Sequence, residues 1–131
     1  MSEANKALVR RYLDAMTRGD PALPELLADD VSWWVPPSSP LGGLREGKAR
    51  VLELMASGIG LYDVTVPFQI EIEAIVAEGD RVAVQLVMSA RTAKGAPYRN
   101  FYHFAFRVRD GRICAVKEYV DTLYAQQLLF S

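Results

Sequence analysis

Asp121 closes the last apolar run of the chain, between Val120 and Leu123. If the strand that carries it is regular, Asp121 shares a face with Ile113 and Tyr119, and that face points inward. A carboxylate in such a setting has its charged form disfavoured by desolvation, which makes it a usable general acid or base. Asp121 followed by Thr122 also suits a helix start, so a capping role stays open beside the catalytic one. Glu118 has the opposite parity, and the same alternation turns it outward, toward Arg99, Arg107 or Lys117 on neighbouring strands. His103 is the single histidine. Alternation sets Tyr98, Asn100, Tyr102, Phe104 and Phe106 on one face, and Phe101, His103, Ala105 and Arg107 on the other. The first set is the more aromatic and reads as a pocket wall, with Asn100 and Tyr102 available to orient a ligand oxygen. His103 then faces out, unless a bulge reverses the strand; it is a lesser catalytic candidate beside Asp121.

Other chemistries lack their residues. One histidine and one cysteine, Cys114, do not furnish a typical zinc site. No phosphate-cradling glycine loop and no nucleophile motif occurs, so neither a metal nor a cofactor is expected. Fifteen basic residues against sixteen acidic ones give a net charge of −1. No concentrated basic face is visible, which argues against nucleic acid. No stretch reaches membrane-spanning length, and the first residues lack the apolar core of a signal peptide. A cytoplasmic protein is expected, with a hydrophobic small molecule as partner.

The elements that must position these groups fall in a simple order. Leu8, Val9, Tyr12, Leu13 and Met16 recur at helical spacing opposite Lys6, Arg10, Asp14 and Arg18, and Gly19 is placed to stop the helix. Asp20-Pro21 starts a short second helix carrying Leu23, Leu26 and Leu27 inward. Residues 31–35 are β-prone; their parity turns Trp33 in and Trp34 out. Pro36, Pro37, Pro40, Gly42 and Gly43 make a loop. A third helix over about 48–57 sets Val51, Leu52 and Met55 on one stripe. From Val64 the period becomes two, with Phe68, Ile70, Ile72, Ala74 and Val76 inward. Turns at Glu78-Gly79-Asp80, Lys94-Gly95-Ala96-Pro97 and Asp110-Gly111 link four strands, the last of them a strong hairpin signal. Helices followed by hairpin-linked strands predict one α+β domain over residues 1–131.

The order of elements and two segments resemble the nuclear-transport-factor-like cone fold. VRRYLDAMTRGDPALPELLADDVSW, residues 9–33, resembles the opening of ketosteroid isomerases. FRVRDGRICAVKEYVDTLYA, residues 106–125, resembles the SnoaL-like polyketide cyclase branch, where a dGxI hairpin precedes E-Y-x-D. The resemblance implies a curved, mainly antiparallel sheet with three N-terminal helices closing a conical apolar pocket, a cystatin-like α+β roll. It also implies an acid/base role for Asp121 and an oxyanion-donor role for Tyr12, which otherwise reads as a core tyrosine. Trp33, Met55, Asn100, Tyr102, Phe104, Tyr119 and Tyr12 are then the expected ligand contacts. The isomerase acids fall on Trp33-Trp34-Val35-Pro36 and near Phe104, both apolar here. The Arg-x-Asp pair of related epoxide hydrolases is missing from RVAVQLVMSART, residues 81–92. What remains is a cofactor-independent isomerase, cyclase or lyase working by proton transfer on a hydrophobic carbonyl or polycyclic compound, or a non-catalytic binding module. A homodimer through the outer sheet face, with Phe101, Val116 and Trp34, is expected because that set is too apolar to leave exposed.

Overall fold

The computed structural model describes residues 2–131. Helix α1 (Ser2–Arg18) buries Leu8, Val9, Tyr12, Leu13 and Ala15 along one face. Gly19 ends it in the left-handed region, at φ 62°, where glycine pays no Cβ penalty. The Asp20 amide then reaches back to the Ala15 carbonyl at 2.9 Å, closing the helix end. The second helix of the sequence reading is a single 3₁₀ turn, Leu23–Leu26, and Leu27 already begins strand β1 (Leu27–Val35). The proline- and glycine-rich loop holds a strand that the sequence reading missed, β2 (Gly43–Glu46), which turns back antiparallel on β1. Helix α2 (Lys48–Ile59) follows.

Strands β3 (Gln69–Glu78), β4 (Arg81–Arg91), β5 (Pro97–Arg109) and β6 (Arg112–Val120) are joined by the expected hairpins. At the tightest of these, Asp110 and Gly111 both have positive φ, 52° and 74°, the backbone that a two-residue hairpin with matching twist requires. The residues after β6 form helix α3 (Thr122–Leu129), starting at the Asp121-Thr122 helix start read from the sequence. One six-stranded sheet results, in the order β2-β1-β6-β5-β4-β3. Its pairs are antiparallel except β1 with β6, which run parallel. The sheet is open, with β2 and β3 at its edges. Helix α1 packs across β3 and β4 while α2 lies against β1 and β2. The architecture is therefore α+β, with two helices and a 3₁₀ turn ahead of the long strands and a third helix behind them.

Two bulges decide which side chains face the helices. On β6, Val108 pairs with Ile113 and Arg107 with Ala115, which leaves Cys114 as an extra residue. Side-chain direction has period two, so one extra residue exchanges the faces. Ile113 faces in, and beyond the bulge Val116 is buried while Tyr119 is 44 % exposed. On β3 the register shifts between Ile72 and Ala74. Ile70 and Ile72 face in as expected, but Ile75 and Ala77 replace Ala74 and Val76 thereafter. Among the described residues, no helix is long and apolar enough to cross a membrane.

Candidate active site

Between the inner sheet face and the helices lies a cavity of about 420 Å³, within the range of small-molecule sites. Its floor is Trp33 on β1, Met88 on β4, Tyr102 and Phe104 on β5, and Glu118 and Val120 on β6. Tyr12, Leu13 and Met16 of α1 form one wall, and Leu52, Leu54 and Met55 of α2 another. Ala125, Leu129 and Phe130 close the end beside α3.

Glu118 is the chemically distinctive member of this lining. It pairs with Phe104 across β5 and β6, half-buried, and the cavity is what it faces. The Trp33 indole N–H donates to its Oε1 at 3.1 Å. Among the described residues, no arginine, lysine or histidine lines the cavity. Burial accordingly pushes the Glu118 carboxyl above the ordinary 4.5, and the Trp33 hydrogen bond opposes that rise in part. Tyr12 is buried against Trp33 and Phe106, with ring centroids 6.2 and 5.9 Å away. Its phenol is pushed far up, first by burial and then by the Glu118 charge, so it is a neutral O–H donor at any physiological pH.

A second polar group stands next along β5. The Tyr98 and Tyr102 hydroxyls lie 2.8 Å apart, and the Asn100 amide nitrogen is 2.8 Å from the Tyr98 oxygen. Burial again raises both phenols. Tyr102 lines the cavity, whereas Tyr98 and Asn100 sit behind it. Tyr62 packs edge-on against Tyr98, with centroids 5.6 Å apart, and completes this end of the wall.

Several sequence-level expectations about direction are thereby corrected. Asp121 is exposed and does not line the cavity; its carboxylate accepts the Tyr124 N–H at 3.2 Å and caps α3. Tyr119 points to the outer face, its ring 5.1 Å from that of Trp34. Val116, expected outside, is in the core. Glu118, expected outside, is in the cavity. All four follow from the Cys114 bulge. Asn100 has the expected face but is 0 % exposed, so it supports the wall without forming its surface. Tyr12, Trp33, Met55, Tyr102 and Phe104 line the cavity. His103 lies exposed on the outer face. The signal for Glu118 was present in Lys117: a regular ladder from Ile113 would have put that ammonium opposite Phe104, among aromatic rings.

An open six-stranded sheet backed by helices, with a cavity between the layers, is the architecture of NTF2-like proteins. A SnoaL-like domain model matches residues 9–116, and the chain belongs to that family. Among solved structures, an NTF2-like protein from Burkholderia xenovorans is 26 % identical, covers 98 % of each chain and superposes with a TM-score of 0.79. An NTF2-like protein from Burkholderia pseudomallei is 23 % identical over 100 % of each chain, at a TM-score of 0.83. TerC, crystallised with polyporic acid, is 20 % identical over 98 % of this chain and 99 % of its own, at a TM-score of 0.83. No curated protein matches the chain.

Proposed function

We propose that the cavity binds an uncharged, largely apolar carbonyl or polycyclic compound and that Glu118 moves a proton on it. The observation that carries this reading is the single carboxylate at the cavity floor, met by a neutral indole donor and by no cation among the described lining residues. Such a group binds its proton more tightly than a free carboxyl does, which makes its ionised form a stronger base. In the reaction, the Glu118 carboxylate takes a proton from the carbon next to the substrate carbonyl. The electron pair moves onto the carbonyl oxygen, and a Tyr12 or Tyr102 O–H donates to the enolate that forms. Glu118 then returns the proton at another carbon, giving an isomer; alternatively the enolate carbon attacks a second carbonyl of the substrate to close a ring, and Glu118 returns the proton to that carbonyl's oxygen, with no cofactor required. Glu118 takes the acid/base role that the sequence motif assigned to Asp121.

TerC, crystallised with polyporic acid, supports a small-molecule ligand by likeness of fold. The apolar outer face supports a homodimer: Phe101 is 53 % exposed there beside Trp34 and Tyr119. The discriminating experiment follows deuterium exchange from heavy water into the position next to the carbonyl of β-tetralone. The wild-type protein accelerates the exchange and Glu118→Gln does not. Binding of the ketone without accelerated exchange overturns the catalytic role and leaves a binding module.

A further inference from the structure

Asn100 is fully buried, and each end of its amide meets a partner of fixed character. Its Oδ1 accepts the Phe101 N–H at 2.8 Å, and its Nδ2 donates to the Asp121 carbonyl at 3.1 Å. An amide N–H can only donate and a carbonyl can only accept, so these two partners fix which way the Asn100 amide points. The second Nδ2 proton therefore goes to the Tyr98 oxygen, 2.8 Å away. Tyr98 is an acceptor from Asn100.

Distance alone leaves open which of Tyr98 and Tyr102 donates to the other across their 2.8 Å contact. Burial decides it. Tyr98 is 1 % exposed and lies behind the cavity surface. If Tyr102 donated, the Tyr98 proton would be left with the Tyr62 hydroxyl as its one remaining neighbour, in place of the 2.8 Å contact to Tyr102, and a poorly partnered buried donor is costly. Tyr102 faces no such constraint, because its own hydroxyl borders the cavity. The order that satisfies every group is Asn100 to Tyr98, Tyr98 to Tyr102, and Tyr102 to whatever occupies the cavity. Tyr62 is the neighbouring hydroxyl that could divert this chain.

We propose that Asn100 is a positioning residue that fixes this proton order, so that Tyr102 presents a one-way O–H donor and the site selects ligands that bring an acceptor oxygen to it. The inference rests on the cavity being the ligand site, and it adds the polarity of one contact and the residue that sets it.

Calorimetric titration with two probes of the same outline tests it. Acetylnaphthalene carries a carbonyl oxygen where isopropenylnaphthalene carries a methylene. The wild-type protein should prefer the ketone by about five- to tenfold, the worth of one hydrogen bond. Tyr102→Phe should lose that preference and Tyr62→Phe should keep it. Asn100→Asp should abolish or reverse it: a carboxylate would take the Tyr98 proton, Tyr102 would donate to Tyr98, and its lone pairs would face the ketone. If Asn100→Asp does not fold, hydroxyl-proton NMR of the wild-type protein decides. The Tyr98 proton should exchange slowly and contact the Tyr102 ring, while the Tyr102 proton exchanges fast. Equal binding of both probes by the wild type, the reverse exchange order, loss of the preference in Tyr62→Phe, or an unchanged preference in folded Asn100→Asp would each overturn the assigned order. Failure of both probes to bind would overturn the cavity reading, and this inference with it.

Discussion

Glu118 illustrates how one carboxylate ties chemistry to stability. Burial raises its proton affinity in the folded protein above the ordinary 4.5. The folded state thus binds that proton more tightly than the unfolded chain does. Stability from this group is fully present below about pH 4.5 and is lost as pH rises toward the folded value. Glu118→Gln removes the titration. In urea denaturation the variant should match the wild type at acid pH and exceed it near neutrality, by about 1.4 kcal/mol for each tenfold of tightened proton binding. A wild-type advantage at neutral pH would contradict the burial of an uncompensated charge. The acids Asp30, Asp63 and Asp80 act in the opposite sense. Each is held below its ordinary 3.8, Asp30 and Asp80 chiefly by hydrogen bonds from Arg109 and Arg107, and Asp63 by those from Thr65. Their contributions are present above about 3.8 and fade below it, outside the Glu118 window. Side-chain direction at Tyr12, Trp33, Met55, Tyr102 and Phe104 was legible from spacing alone. Glu118 was not, because its direction depends on a residue count upstream of it.

At the scale of elements, the local rules held along α1 and at the hairpins and failed in β3 and β6 where one residue is inserted. The heptad-like stripe of α1, the stop at Gly19 and the Asp110-Gly111 hairpin were all readable, since each rests on near neighbours in sequence. The Cys114 and Glu73 bulges were not, because a bulge is settled by pairing with another strand. Apolar residues on both parities of β3, Ile75 and Val76, gave no warning there. Strand β2 hid among prolines and glycines because its four residues are held by pairing with β1 and not by propensity. Inserting one residue between Val116 and Lys117 should therefore be far worse than altering Cys114. The insertion turns Lys117 in and Glu118 out, and should cost at least about 3 kcal/mol or prevent folding. Cys114→Ala should stay within about 1 kcal/mol of the wild type, since its half-buried thiol holds no partner. Comparable urea midpoints for the two would show that β6 can re-register. The capping role of Asp121 gives a second check. Asp121→Ala should lose about 1 kcal/mol and Asp121→Asn almost nothing. Gly42 is constrained differently: an added Cβ would sit 2.8 Å from the Pro37 Cα and the Ser39 carbonyl oxygen. Gly42→Ala should therefore shift the loop that carries Ser39 and Leu41 to the cavity rim.

For the whole molecule, the two faces of one sheet divide the work. The inner face of β5 carries the cavity wall, and its outer face carries Arg99, Phe101 and His103. There the Arg99 guanidinium lies 5.3 Å from the Phe101 ring centroid, and the Lys117 ammonium 5.5 Å from that of Trp34. Exposed aromatics fringed by cations suit a contact with a second copy better than bulk water. Light scattering at micromolar concentration should give twice the chain mass, and Phe101→Glu should give the monomer; a monomeric wild type would contradict the dimer. The central claim, that Glu118 is the proton-handling group of a ligand cavity, is tested most directly by carbon NMR of its side-chain carboxyl, titrated with and without β-tetralone. The account predicts a midpoint above 4.5 in the free protein and a displaced one when the ketone is bound. A free-protein midpoint at or below 4.5, unmoved by the ketone, would contradict it.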